Sequence, residues 1–193
     1  KFRSASPCLK LQTIILIVVT HKKQRTMGMV LNLIRVSKED LDSFLNNSDL
    51  LEERVYNEEN FDAEWYFDLD KAWDGVQYLL SKKSGVHLKP PLTPIDRVMF
   101  TFKYIDEEQD LGYGPGQYLT PEEVKETSAA LSSISIDDFS KRYNGEDMER
   151  IGIYPGGWTD PQLKDYVVDS LKNLIEFYSI AANSNQAVIS VMN

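Results

Sequence analysis

Two aspartates four residues apart, Asp70 and Asp74 in the segment Asp68-Leu69-Asp70-Lys71-Ala72-Trp73-Asp74-Gly75, are the leading chemical candidates in this sequence. At helical spacing both carboxylates fall on one face and repel unless a cation sits nearby. Such a pair could hold a metal or work as general acid and base. The plainer expectation is that Asp68 caps the helix while Asp70 and Asp74 face water or pair with arginines, for which Arg97, Arg142 and Arg150 are available. The calcium-loop pattern is absent and no second ligand set has recognisable spacing, so no metal or cofactor is called for.

Nucleophile-base chemistry has less to stand on. Outside the first 26 residues there is one histidine, His87, in a proline-rich loop, with no cysteine and no serine in a nucleophile elbow. Gly112-Tyr113-Gly114-Pro115-Gly116 is glycine-rich but lacks the Lys-Ser/Thr of a phosphate loop. It reads as a tight turn that lets Tyr113 and Tyr118 pack. Aromatic residues are the other surplus: Trp65, Tyr66, Phe67, Trp73, Tyr113, Tyr118, Tyr154 and Trp158. Most are expected in the core, and the remainder could line a cleft with acidic residues suited to a peptide or cationic ligand. The candidate binding residues are therefore Asp70, Trp73, Asp74, Tyr113, Tyr118, Tyr154 and Trp158.

The elements that must position them follow from periodicity. Met29–Val36 is apolar and β-branched and predicts a first strand. Ser37 with Asp40 starts a helix to Asn46, and a second short helix covers Asp49–Tyr56. Leu69, Trp73, Val76 and Leu80 make the stripe of a third helix, and the prolines of 84–94 mark a loop. Alternation of Val98, Phe100, Phe102 and Tyr104 with Met99, Thr101 and Lys103 predicts a strand. Residues 106–118 read as a loop, and Thr120-Pro121-Glu122-Glu123 opens a helix to Leu131 with a capping box. Ser135 starts a short helix carrying Phe139 and Tyr143. Asp160-Pro161 opens a long one with Leu163, Val167, Leu171, Leu174 and Tyr178 on its apolar face, and Ala187–Met192 is a terminal strand. Strands do not alternate strictly with helices, so a single α+β domain is expected, a small mixed or antiparallel sheet packed by several helices.

The 193 residues carry 21 Lys+Arg and 30 Asp+Glu, a formal charge of −9. That charge is unevenly distributed. Residues 1–26 hold six bases and no acid, leaving fifteen bases against thirty acids in 27–193, a net of −15. Thr13–Val19 is too short to span a membrane and no small-x-small cleavage site follows it. Residues 1–26 therefore read as a leader translated from upstream or carried over from expression, and 27–193 as the folding domain. Cys8, the one thiol, lies in that leader, which agrees with a cytoplasmic setting. So acidic a body repels phosphate backbones and anionic lipid, which argues against nucleic acid and membrane, while a cationic protein partner is well matched.

Several segments together, in order, carry a resemblance: Met27-Gly28-Met29, Asp68 to Gly75, Leu111-Gly112-Tyr113-Gly114-Pro115, Tyr118 to Val124, Ile153-Tyr154-Pro155 with Trp158, and the closing helix with Ala187-Val188-Ile189. From Met27 to the C-terminus the chain resembles the YfbM-like family of bacterial domains of unknown function. That resemblance implies a small cytoplasmic α+β domain starting at Met27. It also sets Gln77 where many members have histidine, which weakens an enzymatic reading. Three functions are therefore weighed. The first is a non-catalytic acidic protein-binding module, neutralising a cationic partner such as a toxin. The second is a small-ligand binder or enzyme built on an aromatic and carboxylate-lined cleft. The third is a self-associating structural protein.

Overall fold

The run Leu-Asn-Leu-Ile-Arg-Val at 31–36 is buried at every position, which a strand achieves only when both faces of its sheet are covered. In the computed structural model, which describes residues 28–57 and 63–193, this strand β1 (Leu31–Val36) lies at the centre of a sheet. The proposed leader 1–26 with Cys8, the proposed start Met27, and residues 58–62 lie outside the described residues. The other strands are β2 (Tyr66–Asp68), β3 (Gln117–Leu119) and β4 (Ala187–Met192), in the order β2-β1-β4-β3 and antiparallel throughout. β1 pairs with β4 from Leu31↔Met192 to Val36↔Ala187, so the two ends of the domain meet in its middle.

Side-chain alternation sorts the core into two layers. Leu31, Leu33 and Val188 face one cluster with Trp73, Val76, Val124, Leu171, Leu174 and Tyr178. Ile34, Val36, Ile189 and Val191 face a second, with Leu41, Phe44, Leu51, Val55 and Leu111. The first layer is supplied by α3 (Trp73–Ser81), α4 (Pro121–Ser132), α5 (Ile136–Lys141), α6 (Gly145–Arg150) and α7 (Gln162–Asn183). The second comes from α1 (Lys38–Asn46), α2 (Asp49–Tyr56) and the 105–116 loop. This is the single α+β domain that the residue pattern predicts.

Most predicted elements form where their caps place them. Ser37 Oγ accepts from the Asp40 amide, and Thr120 with Glu123 closes a full capping box. At the long helix, Pro161 is the N-cap and Asp160 Oδ1 accepts from the Gln162 amide at 2.9 Å.

The strand expected over Val98–Tyr104 does not form. Asp96–Val98 is a 3₁₀ turn, Val98 and Met99 are both buried, and Phe102 has φ 57°. The 3₁₀ turn takes the start of this segment out of extended backbone, and a left-handed residue at Phe102 ends any strand. Gln117 Oε1 instead accepts from the Thr101 and Phe102 amides, at 2.8 and 2.9 Å, leaving one bridge between Tyr104 and Gln117. Strands β2 and β3 and helix α6 were not anticipated, being three to six residues long and without a periodic stripe.

Candidate functional site

The first turn of α3 carries Trp73, Asp74 and Gly75 in succession, and each grips the loop that precedes α7. Trp73 stacks on Tyr154 with ring centroids 5.3 Å apart and planes 22° apart, and its indole N–H donates to Met29 O at 3.1 Å. Gly75 faces the Trp158 ring so closely that a Cβ there would lie 2.5 Å from Cη2. Asp74 is 1 % exposed. Its Oδ1 accepts from Ser84 Oγ at 2.8 Å and the Gly85 amide at 2.6 Å, and its Oδ2 accepts from the Tyr154 amide at 2.9 Å. Trp158 in turn donates its indole N–H to Ile153 O at 2.7 Å and its amide to Glu149 Oε2 at 3.0 Å.

Four of the seven predicted residues, Trp73, Asp74, Tyr154 and Trp158, thus converge, but they do so as a buried latch and not around an open cleft. The other three lie elsewhere. Asp70, exposed at φ 48°, accepts from the Tyr166 hydroxyl at 2.9 Å. Burial and the Asp70 carboxylate push that phenol far above its ordinary range. The cleft beside Asp70, about 270 Å³, is lined also by Phe67, Tyr166 and Asp169 but by none of the other six candidates. Tyr113 is 53 % exposed, so the glycine turn does not pack it as expected. Tyr118 sits half-buried on β3 with Lys103 Nζ 4.6 Å from its ring centroid.

None of the arginines considered as partners reaches the two aspartates. Arg97 pairs with Glu123 and Glu126, Arg150 with Asp147, and Arg142 donates to the Leu79 and Leu80 carbonyls at the end of α3. Asp74 is held by neutral donors instead, and Asp70 by a phenol. Among the described residues no cluster of three or more His, Cys, Asp or Glu side chains could hold a metal. No described helix is long and apolar enough to cross a membrane. His87 is exposed at the rim of a cleft near the end of α3, and Gln77 is buried with its amide donating to Ser81 Oγ at 3.0 Å.

An acidic and aromatic surface does exist, on α2. Asp49, Glu52, Glu53 and Tyr56 line a groove of about 430 Å³. Glu53 also lines a neighbouring cavity of about 590 Å³ with Asp40, Leu50, Arg54 and Trp65. Ser48 Oγ donates to Asp106 Oδ2 at 2.9 Å and Gln109 Nε2 to Ser48 O at 2.8 Å, which docks the acidic 106–110 loop beside the helix. Burial, then the charges of Glu52 and Asp110, push the Tyr56 phenol up, although Tyr56 remains 48 % exposed. Arg54 lies 3.3 Å from Asp40, with its guanidinium 5.4 Å from the ring centroids of both Phe44 and Trp65. The residues of this face were read in sequence only as a short helix. The available signal was that Leu50 and Tyr56 fall off the Leu51–Val55 stripe that α2 buries.

Comparison with known proteins matches this architecture. A solved structure described as a protein of unknown function, YfbM from Escherichia coli, superposes with a TM-score of 0.66 at 17 % identity, covering 85 % of this chain and 99 % of that one. At that identity the likeness speaks to the fold. Among curated proteins, none matches. The family profile of the domain of unknown function DUF1877 matches residues 27–191. With most of its length inside that match, the chain belongs to the DUF1877 family.

Proposed function

We propose that this protein is a non-catalytic acidic binding module that captures a cationic polypeptide on the α2 face. The observation that carries this reading is the juxtaposition on one helix of Asp49, Glu52 and Glu53 with exposed Leu50 and Tyr56, backed by the docked 106–110 loop. Carboxylates steer a basic partner in, and a half-exposed phenol offers apolar contact and cation–π attraction once it arrives. The net charge of −15 over residues 27–193 acts in the same direction at longer range. Neutralisation of a cationic toxin is one role such capture would serve.

The test is affinity capture from native lysate at low salt, with the parent chain and the triple variant Asp49→Lys/Glu52→Lys/Glu53→Lys. The expected result is a stoichiometric basic protein retained by the parent, released by raised salt and lost with the variant. Absence of any stoichiometric partner, or a partner that the variant retains equally, overturns the reading.

A further inference from the structure

One cleft runs against the charge of the rest of the molecule. About 370 Å³ in volume, it is bounded by Tyr78, Lys82, Lys83, Ser84, His87 and, on its apolar side, Ile153 with the adjoining Ile151. No carboxylate lines it, whereas the three clefts already described carry at least two each. In a chain with fifteen bases and thirty acids over residues 27–193, two lysines and a histidine around one cavity stand out, although Asp96, Asp147 and Asp74 lie behind its lining on Lys83, Tyr78 and Ser84.

Of the two ammonium groups, only that of Lys83 is committed to an ion pair among the described residues, with Asp96. Lys82 makes no ion pair among the described residues, and its Nζ stands 5.0 Å from the Tyr78 ring centroid. Asp147, on which the Lys82 charge also acts, is engaged by Arg150 and by the Tyr78 hydroxyl at 2.9 Å. Lys83 gives two protons to the Asp96 oxygens, at 3.0 and 3.1 Å, which leaves its third.

The backbone that carries these groups is fixed before any ligand arrives. Asp74 holds Ser84 Oγ and the Gly85 amide from below, and the His87 amide donates to Ser84 O at 3.0 Å. Lys82 itself occupies φ 60°, a left-handed position at the end of α3 where glycine or asparagine is the ordinary occupant. Lysine at this position carries a conformational cost, and its side chain lines the cleft beside the Tyr78 ring.

We propose that this cleft binds a small phosphate monoester, its phosphate held by Lys82, Lys83 and His87 and its apolar body laid on Tyr78, Ile151 and Ile153. A doubly charged head with three acceptor oxygens suits a cleft lined by two lysines and a histidine better than a carboxylate does. The volume suits a small metabolite and not a polymer. The site shares no lining residue with the α2 face, so it stands or falls independently of the capture function.

The experiment is a titration of the full chain, followed by backbone amide NMR, with phenyl phosphate, inorganic phosphate and benzoate. Phenyl phosphate is expected to saturate and to shift the amides of Lys82 to His87 and of Ile153, binding more tightly than either of the other two. Lys82→Gly removes the ammonium while suiting the left-handed backbone. It is expected to melt within about 3 °C of the parent yet bind phenyl phosphate at least tenfold more weakly. No saturable shift at these amides, or equal binding by Lys82→Gly, overturns the site. Benzoate binding as tightly as phenyl phosphate overturns the phosphate assignment, and inorganic phosphate doing so overturns the apolar half.

Discussion

Replacing Asp74 tests the central claim about the latch, that a carboxylate first legible as a catalytic candidate is a structural acceptor. Asp74→Ala leaves the buried Gly85 amide and the part-buried Tyr154 amide without acceptors, while the Ser84 hydroxyl can turn to another partner. A stranded buried donor costs about 1–3 kcal/mol, and hydrogen bonds to a charged acceptor lie at the upper end of that range. With the separation of the 84–87 loop from the first turn of α3 included, the expected loss is about 3–6 kcal/mol, a large share of a domain's stability. For a domain of this size that is about 6–24 °C in melting temperature. Asp74→Asn keeps one acceptor oxygen but points an amide N–H₂ at a donor, and should lose roughly half as much. Urea unfolding measures both, and amide hydrogen exchange at Gly85 and Tyr154 locates the damage. A loss below about 1 kcal/mol for Asp74→Ala would refute the latch.

Gly75→Ala should destabilise despite alanine's better helix propensity. The added methyl meets the Trp158 ring at 2.5 Å in a closed core, an overpacking cost of about 1–3 kcal/mol set against a propensity gain of about 1 kcal/mol. A urea midpoint equal to or above the parent's would count against that packing. Acid should weaken the fold through Asp96 and Glu123. Burial pushes both carboxyls up, but hydrogen bonds from Lys83 and Thr93 to Asp96, and from Lys103 and Thr120 to Glu123, outweigh it and hold both below their ordinary values of 3.8 and 4.5. The folded form then holds these protons less tightly than the unfolded chain. The stabilisation is therefore full above the ordinary carboxylate range and disappears as pH falls through the depressed folded values. Melting temperature followed from pH 6 to 3 should drop most steeply below about pH 4, and less steeply in Asp96→Asn. An unchanged slope in that variant argues against the Lys83–Asp96 contribution. Arg142→Ala uncovers the Leu79 and Leu80 carbonyls and should cost about 0.5–1.5 kcal/mol in the same urea assay.

Local signals carried the elements furthest. Helices α1 and α2 form over the predicted residues because Ser37 and the acidic first turns are local devices that act wherever the chain lies. α7 follows an apolar stripe too long to be accidental. Alternation over 98–104 misled because period two says nothing of backbone sign, and left-handed Phe102 gives its amide to Gln117, fifteen residues away. The candidate site divides in the same way. Segment Asp68–Gly75 stands out in the sequence as a candidate for chemistry, yet its contacts in the fold are with Ser84, Tyr154 and Trp158, which no local pattern links to it.

Composition and spacing alone therefore determined the acidic character of the body, the α+β class, the caps and most helix boundaries. Each of these depends on residue type or on neighbours within four positions. The tertiary structure decided that Asp74 is buried and satisfied while Asp70 is exposed beside Tyr166. It also decided that the α2 face bearing Asp49, Glu52, Glu53 and Tyr56 stays exposed, and that two lysines and a histidine of an acidic chain share one cleft. The physical reason is that burial and electrostatic sign at a side chain are set by what the rest of the chain brings against it, and those partners lie 10 to 96 residues away.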